Sequence, residues 1–231
     1  MRILTWFSCG ACSTVALKLA IDKYKDVVAV YCDTGGEHED NKRYLKDIEK
    51  WLNIKITILK NKKYKDHFDV FEKTKFLISP HGARCTTELK KRLRFDFQES
   101  DDLQIFGYSI DEKHRADRFN KSFPEVVTEF PLIEGGITKQ HAIGYLWKQG
   151  IELPVMYKLG YKNNNCIGCV KGGKGYWNKI RVDFPEHFAR MSKIERELNI
   201  RMNDKFLDEM GENEGNHKNE TITCDFTCQG L

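Results

Sequence analysis

Eight cysteines in a chain of 231 residues are the first feature that could carry chemistry. Cys166-Ile167-Gly168-Cys169 is a CxxC pair between Asn163-Asn164-Asn165 and Lys171-Gly172-Gly173. A CxxC is half a zinc site, a redox dithiol or a pair of iron–sulfur ligands. A thioredoxin-type pair opens a helix directly after a strand. These Gly- and Asn-rich flanks instead suit a loop wrapped around a cofactor. Backbone N–H groups there can turn to sulfur, and Lys171 and Lys174 can offset thiolate charge. Cys85 lies 81 residues before Cys166, in Arg84-Cys85-Thr86-Thr87-Glu88-Leu89-Lys90. Cys224 and Cys228 stand close to the end of the chain, and Cys32 reads as a packed core residue.

Three further segments suit anion or nucleotide binding. Phe7-Ser8-Cys9-Gly10-Ala11-Cys12-Ser13-Thr14 collects small and hydroxyl residues between a strand-like and a helix-like segment. Small side chains let backbone approach a ligand, and the N–H groups of a helix start favour an anion. Ser8, Ser13 and Thr14 add hydroxyl donors, although Ser13 also suits a plain helix N-cap. Neither GxxxxGK[ST] nor GxGxxG is present in this turn. Tyr31-Cys32-Asp33-Thr34-Gly35-Gly36-Glu37 puts an Asp at a strand end, where it can accept from a ribose hydroxyl or an adenine amine, or simply cap the next helix. Gly107-Tyr108-Ser109-Ile110-Asp111-Glu112-Lys113-His114-Arg115 places Arg115 where a guanidinium suits bidentate oxyanion binding.

Those segments need a frame. Residues 3–7, 27–31, 54–59 and 103–108 are strand-like apolar runs, and residues 13–24 and 40–52 carry helical stripes. Such alternation predicts an α/β, Rossmann-like, doubly wound and mostly parallel sheet with helices on both faces. Ligands of such sheets bind beyond the carboxyl ends of the strands, where all three segments lie. Residues 138–149 read as a helix ended by Gly150, residues 158–175 as a structured cysteine-containing loop, and residues 184–199 as a helix. Residues 203–220 are polar and read as a partly mobile, irregular tail. The expected division is a nucleotide-binding domain over 1–182 and a C-terminal helix and tail over 183–231.

The phosphate-loop candidate resembles the PP-loop, Ser-Gly-Gly-x-(Asp or Thr)-Ser, of the adenine nucleotide α-hydrolase superfamily. Ser8, Gly10 and Ser13 match, whereas Cys9 replaces Gly and Cys12 replaces Asp or Thr. Asp33-Thr34-Gly35 resembles the adenosine-binding turn of phosphoadenylyl-sulfate (PAPS) reductases. Cys85, Lys90, Cys166 and Cys169 resemble, in order and spacing, the [4Fe–4S] ligands and lysine of the iron–sulfur members, with Arg84 in place of one ligand. Glu112 and Arg115 match the family's oxyanion segment, and Ser109 replaces its first Arg. Pro131-Leu132, then Pro154, Tyr157, Gly160 and Tyr161, continue the likeness, which covers roughly residues 1–182.

The resemblance implies an enzyme, an oxidoreductase that binds an adenine nucleotide (ATP, adenylyl sulfate or its 3′-phosphorylated form) through Ser8, Cys9, Gly10, Ala11, Cys12, Ser13, Asp33, Thr34 and Gly35. It implies a [4Fe–4S] cluster on Cys85, Cys166 and Cys169, with zinc as the alternative metal and Cys9, Cys12, Cys224 or Cys228 as candidate fourth ligands. Arg115 and Lys90 would hold the sulfate, and Cys224 would attack its sulfur. Cys224 also suits a reversible pair with Cys228. A dithiol such as thioredoxin would be the reductant. An alternative is an ATP-dependent enzyme that adenylates a nucleic acid base or small acceptor and inserts sulfur. A second is a non-catalytic nucleotide- or redox-sensing module.

Composition sets outer limits. Hydrophobic residues make up 40% and charged residues 31%, the balance of a globular domain. A net charge of +4 is too small to argue for nucleic acid as the main partner. The absence of an 18-residue apolar run or a signal-like N-terminus predicts a cytoplasmic protein without a membrane span. A homo-oligomer stays open.

Overall fold

The β-branched and aromatic runs become strands, and the striped segments between them become helices. In the computed structural model, which describes residues 1–79 and 82–217, β1 (Ile3–Phe7), β2 (Val27–Asp33) and β3 (Ile56–Lys60) alternate with α1 (Ala11–Lys23) and α2 (Asn41–Leu52). Next come α3 (His67–Thr74), a short antiparallel pair of β4 (Ile78–Ser79) and β5 (Gly82–Ala83), and α4 (Arg84–Thr86). A π-helical turn, Thr87–Lys91, leads into α5 (Arg92–Phe97). β6 (Leu103–Phe106), α6 (Lys113–Ser122), β7 (Val127–Glu129), α7 (Pro131–Glu134), α8 (Lys139–Lys148) and α9 (Val155–Lys158) follow. The described chain continues through α10 (Lys174–Asp183) and α11 (Pro185–Leu198).

These elements form two compact units interleaved along the chain. The first comprises Met1–Asp33, Glu39–Lys60 and Arg94–Leu159, and the second comprises Thr34–His38, Asn61–Leu93 and the chain from Gly160 onward.

The first unit holds the five-stranded sheet, in the order β3-β2-β1-β6-β7, with every pairing parallel. β1 lies in the middle and is buried along its whole length, as an interior parallel strand requires. Strand order runs outward from β1 to β3, then restarts with β6 on the other side of β1. The gap between the ends of β1 and β6 is therefore the switch point of the sheet. Phe7, Ala29 and Tyr31 pack with Leu17 of α1 and with Tyr44, Leu45 and Ile48 of α2. Trp6 and Phe106 meet Phe97 and Phe119 instead. The fold class expected from the sequence is the one observed.

Arg2 closes the opposite end of this sheet. Its Nε and Nη2 each donate to the Asp102 carboxylate at 2.8 Å. Burial pushes that carboxyl up, but Arg2 and the Glu99 N–H outweigh it and hold it below its ordinary range. The pair's stabilisation is therefore present above the ordinary Asp value and drains as pH falls through the depressed one. Arg2→Ala strands a buried carboxylate, and urea unfolding at neutral pH is expected to show a loss of about 3 kcal/mol.

The second unit is mainly helical. Trp177, Phe68 and Phe71 are fully buried in it. Arg190 of α11 reaches Asp66 at 2.7 Å and Glu72 at 2.9 Å, fastening α11 to α3. The polar stretch expected to be mobile is packed over its described part, residues 203–217. Phe206, Leu207 and Met210 are buried, and the Glu195 carboxylate accepts from the N–H groups of Met202 at 2.8 Å and Leu207 at 2.7 Å. A few apolar anchors inside a charged segment fix it where average polarity predicts freedom. Among the described residues no helix is long and apolar enough to cross a membrane.

Candidate functional site

The turn joining β1 to α1 lies at the switch point of the first unit. Cys9 adopts φ +53, the left-handed conformation that glycine enters freely and other residues enter at a cost of roughly 1–2 kcal/mol. Cysteine thus keeps the backbone shape of the glycine it replaces, with its side chain buried in the core. Gly107, at the end of β6, lets α1 close on the sheet. A Cβ there would sit 2.5 Å from Ser13 Cα and 2.7 Å from Ser13 N.

Of the loop's three hydroxyls, those of Ser13 and Thr14 bond to the turn itself. Ser13 Oγ accepts from Ser8 N at 3.2 Å and Gly10 N at 3.3 Å, and donates to Gly10 O at 3.0 Å. Thr14 Oγ1 donates to Gly10 O at 2.9 Å and meets Tyr44 Oη at 2.8 Å. Both hydroxyls organise the loop from inside, because a tight βα turn leaves amides that need nearby acceptors. Ser8 alone of the three is exposed.

Cys12 sits among charged groups. Burial pushes its thiol up to about 12, with Glu112 adding to the rise and Lys139 and Arg115 opposing it. The thiol is therefore protonated at neutral pH. Arg115 is ion-paired with Glu112 and stacks over the Tyr108 ring at 4.4 Å. The oxyanion candidate is thus braced by a carboxylate and an aromatic face. Lys139 and Tyr157 also act on Cys12; Lys139 belongs to no recognisable motif, and Tyr157 is legible in the sequence only as part of the 154–161 likeness. Tyr157 Oη accepts from Ala11 N at 3.2 Å, and Lys139 Nζ lies 5.6 Å from the Tyr157 ring centre.

The second turn divides between the two units. Asp33 ends β2 in the first unit and accepts from Lys60 Nζ at 2.7 Å. Thr34 and Gly35 belong to the second unit. Thr34 Oγ1 lies 3.1 Å from Cys166 Sγ. Gly35 has φ +66, and a Cβ there would meet Lys65 O at 1.9 Å, so this turn admits no side chain.

The six described cysteines sort evenly. Cys9, Cys12 and Cys32 lie in the first unit, and Cys85, Cys166 and Cys169 lie in the second. Cys32 is buried at the end of β2, as expected. The CxxC turn is held by Tyr176 of α10. Its hydroxyl accepts from Gly168 N and Cys169 N, both at 3.0 Å, and donates to Cys166 O at 3.1 Å. These two amides serve the phenol. His67 of α3 adds a contact from its Nε2 to Gly168 O at 3.2 Å. Cys85 sits in α4, which packs on α3.

Arg84, at the position of the absent thiol, pairs with Glu88, whose carboxylate is fully buried and also pairs with Arg92. Lys90 lies in the π-helical turn, 3.9 Å from Glu37. Such turns are rare and recur at functional sites. Lys174, expected to offset cluster charge, is neutralised by Asp204 at 2.8 Å and Glu214 at 2.9 Å. Cys224 and Cys228 lie outside the described residues. Three thiol side chains in one unit, two on a pinned CxxC turn, are a donor set that suits an iron–sulfur cluster.

Residues 2–174 match the model of the phosphoadenosine phosphosulfate reductase domain. An uncharacterized protein of Methanocaldococcus jannaschii is 26% identical over 208 residues, which is 84% of this chain and 42% of that protein. The chain thus spans about two fifths of the length of this curated relative. Among solved structures, the phosphate complex of PAPS reductase from Candida auris is similar in fold, with a TM-score of 0.51 and 14% identity over 72% of this chain and 81% of that one. A U34-tRNA thiolase from Methanococcus maripaludis, solved with its [4Fe–4S] cluster, gives 0.48 and 12% identity over 86% of this chain and 72% of that one.

Proposed function

The chain belongs to the phosphoadenosine phosphosulfate reductase domain family, and from that premise we propose that it binds an adenine nucleotide at the β1–α1 turn and reduces its sulfate. The observation that carries this reading is the 8–13 turn at the switch point of an all-parallel sheet, with Cys12 in the field of Arg115 and Lys139. In this reading Ser8 and the start of α1 face the phosphates. Asp33, Thr34 and Gly35 supply the adenosine turn, and Arg115 and Lys90 are the cations for the sulfate.

In this reaction Cys224 Sγ bonds to the sulfate sulfur. The bond from that sulfur to the bridging phosphate oxygen breaks, and the nucleoside phosphate leaves with the electron pair. A dithiol of the thioredoxin type then attacks Cys224 Sγ. Sulfite departs, Cys224 returns as a thiol, and the dithiol ends as a disulfide. A [4Fe–4S] cluster, held by Cys85, Cys166 and Cys169, would tune the electrostatics of the site and fix the fold around it. Tyr176 orients the two loop ligands.

The three-cysteine donor set, with Arg84 paired to Glu88 where a fourth thiol would stand, favours a second reading, in which ATP is the nucleotide and sulfur passes to a nucleic acid base or small acceptor. One assay separates the two. The anaerobically purified full chain is given ATP, adenylyl sulfate or its 3′-phosphorylated form with reduced thioredoxin, and sulfite and AMP are measured. Sulfite from a sulfonucleotide supports reduction. AMP from ATP only when an acceptor is present supports sulfur transfer. Binding of each nucleotide without product leaves the sensing module as the correct reading.

A further inference from the structure

Tyr157 touches the phosphate loop and is held rigidly where it does so. Its hydroxyl lies 3.2 Å from Ala11 N, the first amide of α1, and accepts that N–H. A side chain at Gly10 would come within 3.6 Å of the same oxygen. The ring packs beside the cluster of Ala11, Val15 and Leu132.

The segment that carries Tyr157 is fastened from α2. Asp40 Oδ2 accepts from Val155 N at 2.9 Å. Arg43, paired with Asp40 at 2.7 Å, donates to the carbonyls of Glu152 at 3.2 Å and Leu153 at 3.3 Å. Anchored this way, the phenol is a fixed part of the wall of the loop.

A hydroxyl that accepts an amide proton keeps its own proton to give, and accepting strengthens its donation. Burial holds the phenol above its ordinary range, so this proton is present at neutral pH. Lys139 lies over the ring at 5.6 Å and adds positive charge to the same mouth. The first amide of α1 is thus followed by one O–H that can still donate.

We propose that Tyr157 is a binding residue of this site, donating its hydroxyl proton to an anionic phosphate oxygen of the nucleotide. The inference rests on the nucleotide reading given above and adds a donor that lies far from the loop in sequence. It also gives Asp40 and Arg43 the task of positioning that donor.

The test compares the full chain with Tyr157→Phe, which keeps the packed ring and removes only the hydroxyl. ATP binding is measured by titration calorimetry and adenosine binding by saturation-transfer NMR. One hydrogen bond to a charged oxygen corresponds to an affinity loss for ATP of roughly tenfold or more, with adenosine binding unchanged. A merely structural role would weaken both ligands alike. That result, or ATP affinity unchanged or tightened in Tyr157→Phe, overturns the role of Tyr157 while leaving the nucleotide reading intact. If the unaltered chain binds none of ATP, adenylyl sulfate and its 3′-phosphorylated form, the nucleotide reading falls, and this inference falls with it.

Discussion

Gly107→Ala is expected to lower nucleotide affinity at least tenfold and to cost about 3 kcal/mol of stability. The added Cβ would stand 2.5 Å from Ser13 Cα, 2.7 Å from Ser13 N and 2.9 Å from the Cys12 carbonyl carbon. All three are backbone atoms of the first turn of α1, so no side chain can swing aside. The start of α1 must move away from the end of β6. That movement disturbs the Ser13 hydrogen bonds that shape the 8–13 turn, and it shifts Cys12 relative to Glu112 and Arg115.

Gly144→Ala is the matched control. Gly144 lies within α8, and nothing is within 4 Å of its would-be Cβ. Alanine there is expected to be neutral or stabilising by up to about 1 kcal/mol. Urea midpoints and ATP titrations of both variants decide the matter. Equal behaviour of the two would show that close approach at the switch point plays no part in binding.

The frame was legible because its signals are local. β1 and β2 are β-branched or aromatic runs, the stripe at Tyr44, Leu45 and Ile48 has helical period, and the turn at 8–13 is rich in small residues. These features follow from nearest neighbours along the chain, and the structure returns them with shifts of a residue or two at the ends. The purpose of individual polar groups was less legible. Ser13 and Thr14 carry the hydroxyls that a phosphate loop needs, but the turn's own amides and carbonyls are closer and claim them. Arg115 matches an oxyanion motif, but Glu112 lies three residues away on the same helical start and pairs with it.

Contacts made across sequence were not legible at all. Tyr157 reaches Ala11 over 146 residues, and no periodicity or spacing announces it. Tyr176 is one aromatic among many until its hydroxyl is seen between Cys166, Gly168 and Cys169. Asp33 and Thr34 are neighbours in the chain yet fall in different units. The same limit explains residues 203–217, whose order depends on Glu195 and Lys174, groups that composition cannot connect to them.

The largest effect on the metal content is expected from the three cysteines of the second unit. The chain purified without oxygen should carry about four irons with matching labile sulfide, and a broad band near ~400 nm. Cys166→Ser and Cys169→Ser should each lose most of that iron, because each removes a thiolate from a turn whose backbone Tyr176 already holds in place. Cys85→Ser should do the same from a separate element. Cys32→Ser is the control, since Cys32 is buried at the end of β2 and belongs to no proposed ligand set. It should keep its iron while losing some stability. Tyr176→Phe sharpens the test. The thiols remain, but the amides of Gly168 and Cys169 lose their acceptor and the turn loosens, so iron should be retained at purification yet released faster to a chelator. Iron unchanged in all three serine variants, or zinc in place of iron in the unaltered chain, would remove the cluster and leave the CxxC as a structural or dithiol pair.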